Sequence, residues 1–369
     1  MISTYETEHR CSIFCILPPH ILVQIAKNGK TKQLRDLAVA CLTRDHTLRT
    51  HRLTFSLLGG LQVAHAAVAA PAEPQKQRSI YDAGHNTNLP GALVRSEGQA
   101  PVADQSVNRA YDGLGDTFDF YLAAYQRNSI DNRGLPLVAS VHYDQDYDNA
   151  FWNGQQMVFG DGDNQIFIDF TGSIDVIGHE LTHGVTGSEA NLTYLNQSGA
   201  LNESISDVFG SLVKQYKLNQ TADTADWLIG AGILAPGIQG RALRDMRSPG
   251  TAYNDPVLGQ DPQPADMAHF VQTNEDNGGV HINSGIPNRA FYLVAAAIGG
   301  SAWVKAGQIW YDTVTDARLK PSADFAGFAN LTVLNANHRF GSGSNESKAV
   351  IQAWNTVGVK IPSNLTAVA

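Results

Sequence analysis

Cysteine is almost missing from this sequence. Its three copies, Cys11, Cys15 and Cys41, all lie near the start, so everything after position 41 must fold without a disulfide. An odd count also leaves at least one thiol outside any intramolecular pair. No run reaches the roughly 18 apolar residues that a membrane-spanning helix needs, and none is expected. Basic residues are in the minority, 26 Lys and Arg against 35 Asp and Glu, and the net charge of −9 argues against nucleic acid as the main partner. No internal repeat period appears, which speaks against a solenoid. Residues 1–10 lack the basic stretch that opens a secretory signal peptide.

What is present is ordinary globular material, 43% hydrophobic over 369 residues and long enough for two or three cores. Charge is unevenly placed. Residues 1–78 carry 10 Lys and Arg against 5 Asp and Glu, whereas residues 79–369 carry 16 against 30. A basic leader on an acidic body suggests a segment that docks by complementary fields, with a solvated tail of incidental charge as the competing reading. Within the leader, Pro18-Pro19-His20 interrupts the apolar residues 11–25, and residues 27–49 follow a helix-like pattern. Residues 53–70 have the texture of a signal peptide but begin too late from Met1, and no nearby Met offers a later start. They read as the end of the leader and an accessible processing linker, with secretory use as the open alternative.

From residue 78 the texture changes. Residues 137–143, 156–159 and 165–170 read as strands, with Gly160-Asp161-Gly162-Asp163 as a turn. One helix is expected over residues 106–127, with Ala110, Leu114, Phe118, Tyr121 and Tyr125 on one face. Helices then dominate, over residues 174–186, 199–217, 283–299, 301–315, 322–337 and 344–358, and the longest loop spans residues 236–279. The fold class is therefore α+β, a leader followed by a β-rich half and an α-helical half.

At the junction of the two halves stands His179-Glu180-Leu181-Thr182-His183. Residues four apart on a helix lie about 40° apart around the axis, one turn up, so both imidazoles can converge on one metal ion. The Glu beside the first then reaches only a water on that metal. Ile174, Ile177, Leu181 and Val185 form the opposite, anchoring stripe, which leaves the histidines facing a cleft. Val176 falls next to the histidine face. A helix whose two histidines make only ordinary hydrogen bonds is the competing reading. A third ligand is available in Asn202-Glu203-Ser204-Ile205-Ser206-Asp207, where Glu203 and Asp207 share a helix face. Glu203 could complete a two-histidine, one-glutamate set. Asp207 could accept from the far nitrogen of a ligating histidine. A solvated acidic face is the alternative, and it fits poorly beside Leu201, Ile205, Val208 and Phe209.

The HExxH spacing with its Asn-Glu-x-x-x-Asp block resembles the thermolysin family of zinc neutral proteases. The likeness extends over residues 79–358, through Tyr147-Asp148-Asn149-Ala150-Phe151-Trp152, Met157-Val158-Phe159-Gly160-Asp161-Gly162-Asp163 and the block from Asp276 through His281 to Asn288. The resemblance implies that His179, His183 and Glu203 bind one catalytic Zn2+ and that Glu180 is the general base. Tyr194 and His281 would hydrogen-bond the oxyanion, with Asp276 orienting and charging His281, and Asp207 would support a ligand. Asn149 and Ala150 would hold the substrate backbone and Arg244 a substrate carbonyl. Phe167, Val176, Ile229 and Leu243 would line an apolar pocket for the side chain just after the scissile bond. Amide hydrolysis needs this set: a Lewis acid, a base near the water and donors aimed at the developing charge.

Departures matter as well. Many relatives carry a double calcium site; here Asp175 and Asp226 match it, but Lys214, Leu228 and Ala231 stand where carboxylates are needed, so no double Ca2+ site is expected. The run Asp144-Gln145-Asp146-Tyr147-Asp148 lacks the Gly and Glu of a calcium loop and reads as a polar turn. The leader resembles the short pro-segment of the protealysin-like branch, although His20 stands where an apolar residue is usual. It implies an intramolecular inhibitor or chaperone lying in the cleft, with Cys11, Cys15 or His20 near the zinc as one version. The expected organisation is a pro-segment and processing linker over residues 1–77, a β-rich catalytic domain over 78–186 and an α-helical catalytic domain over 187–369. The expected function is a zinc endopeptidase cutting proteins and peptides before hydrophobic residues, acting as a monomer and made as an autoprocessed precursor. A catalytically inactive zinc-binding interaction module of the same fold is the alternative, as is another metallohydrolase such as an aminopeptidase. The resemblance implies secretion; the missing signal peptide leaves non-classical export and cytoplasmic retention both open.

Overall fold

The structure, a computed structural model, describes residues 14–57 and 73–361. The leader begins with a two-residue strand, β1 (Phe14–Cys15), and continues into two packed helices, α1 (Pro19–Asn28) and α2 (Lys32–Leu57). Pro18 precedes α1 and Pro19 opens it, where a missing N–H costs nothing. The sequence pattern over residues 27–49 belongs to two helices rather than one, because the chain leaves α1 at Gly29, whose carbonyl accepts from Arg35 Nη1 at 2.7 Å. Ile21, Leu22 and Ile25 are buried. The expected processing linker falls mostly on residues 58–72, outside the described residues.

The β-rich half holds β2 (Arg78–Asn86), β3 (Ala92–Ser96), α3 (Gln105–Tyr125), β4 (Leu137–Tyr143), β5 (Ala150–Trp152) and β6 (Met157–Phe159). These strands form one sheet in the order β1-β5-β6-β4-β2-β3, so the leader supplies an edge strand. The neighbours β6, β4 and β2 are mutually parallel, while β1 runs antiparallel to β5. Residues 165–170 are not the expected strand. The Asp163 carboxylate accepts from the backbone N–H groups of Gln165, Ile166 and Phe167, which removes donors a ladder would need. Only Phe167 makes a bridge, with Leu234. The run 144–148 is a polar turn, with Asp144 paired to Arg44 of the leader and Asp148 accepting from Asp163 N.

The helical half contains α4 (Ile174–Ser188) and α5 (Asn196–Lys217), followed by a short ribbon of β7 (Leu228–Ile229) and β8 (Arg244–Asp245). A second two-stranded ribbon over residues 254–260 precedes the helices α6 (Asp276–Asn283), α7 (Gly285–Ile298), α8 (Ala306–Val314), α9 (Phe325–Phe340) and α10 (Asn345–Thr356). Helix α6 lies where a loop was expected. Its first turn is irregular, since Asn277, Gly278 and Gly279 all have positive φ, and helical periodicity is correspondingly absent from the sequence. Helices α4 and α5 approach each other through glycine. A Cβ on Gly210 would stand 2.4 Å from Asp175 O and 2.9 Å from His179 N, so only glycine lets the backbones meet there. That contact carries Glu203 and Asp207 up to the histidines of α4. No helix among the described residues is long and apolar enough to cross a membrane.

Candidate active site

Helix α4 buries both of its faces. Of the stripe residues, Ile177, Leu181 and Val185 are buried as expected and Ile174 is half-buried, but Val176, His179, Glu180 and His183 are buried too. The face expected to line an open cleft is covered by α5 and by the leader strand β1.

His179 Nδ1 lies 2.8 Å from Asp207 Oδ1, and His183 Nδ1 lies 2.8 Å from Asn202 Oδ1 and 3.0 Å from Ser206 Oγ. With each Nδ1 hydrogen directed at these oxygens, both Nε2 atoms present lone pairs, and they face each other at 3.0 Å. Two lone pairs so placed repel unless a cation sits between them. Glu203 adds its carboxylate, with Oε1 3.5 Å from His183 Nε2 and Oε2 3.6 Å from His179 Nε2. Glu203 Oε2 is buried and accepts no hydrogen bond from the described residues, an expense a ligating oxygen avoids. Ligand atoms of His179, His183 and Glu203 all lie within 4.8 Å of one another, so the residues present fit a zinc ion. Cys15 and His20 are not part of that cluster; His20 Nε2 lies 2.9 Å from Tyr253 OH instead. Cys11 lies outside the described residues.

Around this cluster the other expected residues converge. Glu180 Oε2 accepts from Trp152 N at 3.0 Å. Tyr194 OH donates to Glu203 Oε1 and lies 3.2 Å from His281 Nε2. His281 Nδ1 lies 2.8 Å from Asp276 Oδ1, and Asp276 Oδ2 also accepts from His281 N. Asp207 ties several of these groups together, receiving Arg244 Nε at 2.7 Å, Arg244 Nη2 at 2.8 Å and Asn288 Nδ2 at 2.8 Å. Burial alone would raise the Asp207 pKa, but the Arg244 charge and the His179 hydrogen bond hold it well below the usual carboxylate range. Arg244 is raised in turn, the burial penalty being outweighed by Asp207. The β7/β8 ribbon sets Ile229 directly opposite Arg244, and Leu243 N donates to Ile229 O. Phe167, Val176, Ile229 and Leu243 are all buried in the same hydrophobic core.

The leader threads through this constellation. Ile16 N donates to Ala150 O at 3.2 Å, and Leu17 N donates to Asn149 Oδ1 at 3.1 Å. Arg244 Nη1 donates to Ile16 O at 3.0 Å, and the Cys15 carbonyl lies 3.1 Å from His281 Nε2. Both ring nitrogens of His281 thus face oxygens, Nδ1 toward Asp276 and Nε2 toward the Cys15 carbonyl. Asn149 is held in turn by the leader's Asp45, which accepts from its Nδ2 at 2.9 Å.

Four neighbours of the site stand in the quoted motifs without a role assigned to them: Trp152, Asn202, Ser206 and Asn288. Trp152 acts through its backbone N–H, which no side-chain pattern reveals. Asn202 and Ser206 sit beside Glu203 on α5, one residue before it and one turn after, so helix spacing could have flagged them.

The family model for the thermolysin metallopeptidase catalytic domain matches residues 66–187, and that for its alpha-helical domain matches residues 190–359. An extracellular metalloprotease of Pectobacterium carotovorum subsp. carotovorum is 53% identical over 353 residues, covering 95% of this chain and 97% of its own length. Protease PrtS of a Photorhabdus species is 46% identical over 353 residues, covering 94% and 92% respectively. The solved precursor of protealysin, a metalloproteinase from Serratia proteamaculans, superposes with a TM-score of 0.85 at 55% identity, covering 94% of this chain and all of that one. The chain belongs to the thermolysin family, as a protealysin-like zinc metalloendopeptidase made as a precursor.

Proposed function

We propose that His179, His183 and Glu203 hold the zinc, and that the surrounding groups hydrolyse peptide bonds on the N-terminal side of hydrophobic residues. Zinc bound there would supply Lewis acidity to a peptide carbonyl and lower the pKa of a water. Glu180 would take the proton of the attacking water and pass it to the leaving amine. His281, charged beside Asp276, and Tyr194 would donate to the oxyanion as it forms. Arg244 would hold the next carbonyl along the substrate, and Asn149 and Ala150 would hold its backbone. Asp207 fixes the ring of His179 and the guanidinium of Arg244 together, so ligand and substrate clamp share one anchor.

The observation that carries this reading is the register of the leader. Cys15 O stands at the oxyanion donor His281, and Ile16 O stands at Arg244. Ile16 therefore takes the position of the residue just after the scissile bond, and its buried aliphatic side chain suits the apolar pocket of Phe167, Val176, Ile229 and Leu243. In this reading residues 1–77 are an intramolecular inhibitor, removed by cleavage between roughly residues 58 and 78. The catalytic domains then comprise residues 78–186 and 187–369. Lys214 Nζ, 2.8 Å from Asp175 and 2.9 Å from Asp226, supplies the charge that calcium would bring, so no double calcium site is needed. The extracellular relatives support secretion, and the processed protease is read as a monomer.

Casein hydrolysis by the processed enzyme tests the proposal. A chelator should abolish it, zinc should restore it, and Glu180→Ala should lack it while accumulating uncleaved precursor. Hydrolysis that survives Glu180→Ala would sink the reading.

A further inference from the structure

Away from the catalytic centre, two histidines and a carboxylate meet at the carboxyl ends of three adjacent parallel strands. His85 is the penultimate residue of β2, His142 is the penultimate residue of β4, and Asp161 lies just beyond β6. In sheets with parallel strands, ligand sites form preferentially beyond these carboxyl ends. We propose that His85, His142 and Asp161 form a second site for a divalent transition metal such as zinc or cobalt, with Asp104 as its positioning residue.

The distances suit one ion. Ligand atoms of the three residues lie within 4.8 Å of one another. Ligands about 2.0–2.1 Å from a tetrahedral metal stand roughly 3.3 Å apart. His85 Nδ1 is 3.5 Å from Asp161 Oδ2, and His142 Nδ1 is 2.8 Å from Asp161 Oδ1. Only the second distance must open, by a few tenths of an ångström. The donor set, two imidazoles and one carboxylate, matches transition metals rather than calcium or magnesium. The His85 side chain is 59% exposed, leaving room for water in a fourth position.

The support behind His142 is of the kind metal sites use. Its Nε2 lies 2.7 Å from Asp104 Oδ2, so the ring is oriented with Nδ1 toward the cluster. Asp104 is itself fixed as the N-cap of α3, where Oδ1 accepts from Ser106 N and Val107 N. Backbone conformation is a separate sign. His85 and His142 both adopt left-handed φ, +57° and +53°, which non-glycine residues enter only at an energetic cost. Without metal, two ring protons hold His142 in place, Nδ1–H toward Asp161 and Nε2–H toward Asp104. A metal at Nδ1 displaces the first proton and leaves the second on Asp104, so this site fills after the catalytic one.

Metal counting on the full-length chain, equilibrated with buffered free Zn2+ or Co2+ and read by elemental mass spectrometry, tests the proposal. Two ions per chain are expected for the wild type and one for His85→Ala. The tightly held catalytic ion reports that the variant has folded. Asp104→Asn should still bind two ions, with half-filling of the weaker site moved to 10- to 100-fold higher free metal. In the cobalt form, His85→Ala should lose one component of the visible absorption spectrum and keep the other. A single ion per wild-type chain at free metal far above that needed for the catalytic site would overturn the proposal. So would a second ion retained in His85→Ala.

Discussion

His179 and His183 stand one turn apart on a single helix, whereas His85 and His142 come from different strands and meet only because β2 and β4 are parallel neighbours. Each cluster adds one carboxylate, and each has a further carboxylate behind a histidine, Asp207 in the first and Asp104 in the second. Their surroundings differ more than their chemistry. The helix cluster is buried and shielded from water, so its charges act at low dielectric. The strand-end cluster is partly open, where solvent screens the same interactions. The comparison teaches that donor set alone does not make a catalytic centre. The buried cluster also has a base in Glu180, oxyanion donors in His281 and Tyr194, and a substrate clamp in Arg244, while nothing comparable surrounds His85 among the described residues.

The largest effects are expected where the buried cluster is broken. Glu180→Ala should lower kcat/KM on a casein-derived peptide by about 10²- to 10⁴-fold, the usual contribution of a general base, with zinc content unchanged. Retained zinc with retained activity would erase the distinction between the clusters. Lys214→Met tests burial from another side, since it takes the cation away from the buried Asp175 carboxylate in the first turn of α4. A loss of about 3–5 kcal/mol in urea denaturation is expected, while millimolar calcium should leave the wild-type melting temperature unchanged.

A smaller effect separates the two supporting carboxylates. Asp207→Asn should weaken the catalytic zinc by about 10- to 100-fold in chelator competition and also raise KM, because Arg244 loses its anchor. If KM stays fixed while zinc affinity falls, Asp207 does not couple the two.

The smallest effect is a pH dependence at the open cluster. Hydrogen bonds to Asp161 and then Asp104 outweigh burial and raise the His142 pKa from about 6.5 to about 9. A raised pKa stabilises the fold fully below the unfolded value and loses that stabilisation as pH climbs through the folded one. The stability gap between wild type and His142→Gln, without added divalent metal, should therefore shrink between pH 6.5 and 9, by roughly 1–2 kcal/mol after solvent screening. A gap that stays constant or widens over that range would show that the imidazolium is not what Asp104 and Asp161 hold.

Legibility in the sequence followed the same divide. The long helices and the strand at residues 137–143 could be read because their periodicities are local. The strand expected at 165–170 failed because Asp163 captures its N–H groups, an effect of one side chain on three later residues. Helix α6 escaped because its opening turn depends on positive φ at Asn277, Gly278 and Gly279. Strand β1 is only two residues long and exists because the edge of β5 is there to receive it. For the same reason, the leader's fit to the cleft could be suspected from charge and resemblance, but not its register on Arg244 and His281.

By itself the sequence determined the helix that carries His179, Glu180 and His183, and the pairing of Glu203 with Asp207 on the next, because a 3.6-residue period places those side chains wherever the helices lie. Tertiary structure decided what those helices face. The Gly210 contact brought α5 against α4, the leader closed over both, and the parallel order of β2, β4 and β6 gathered His85, His142 and Asp161. Such placements depend on close packing and strand order between distant segments, which no local spacing encodes.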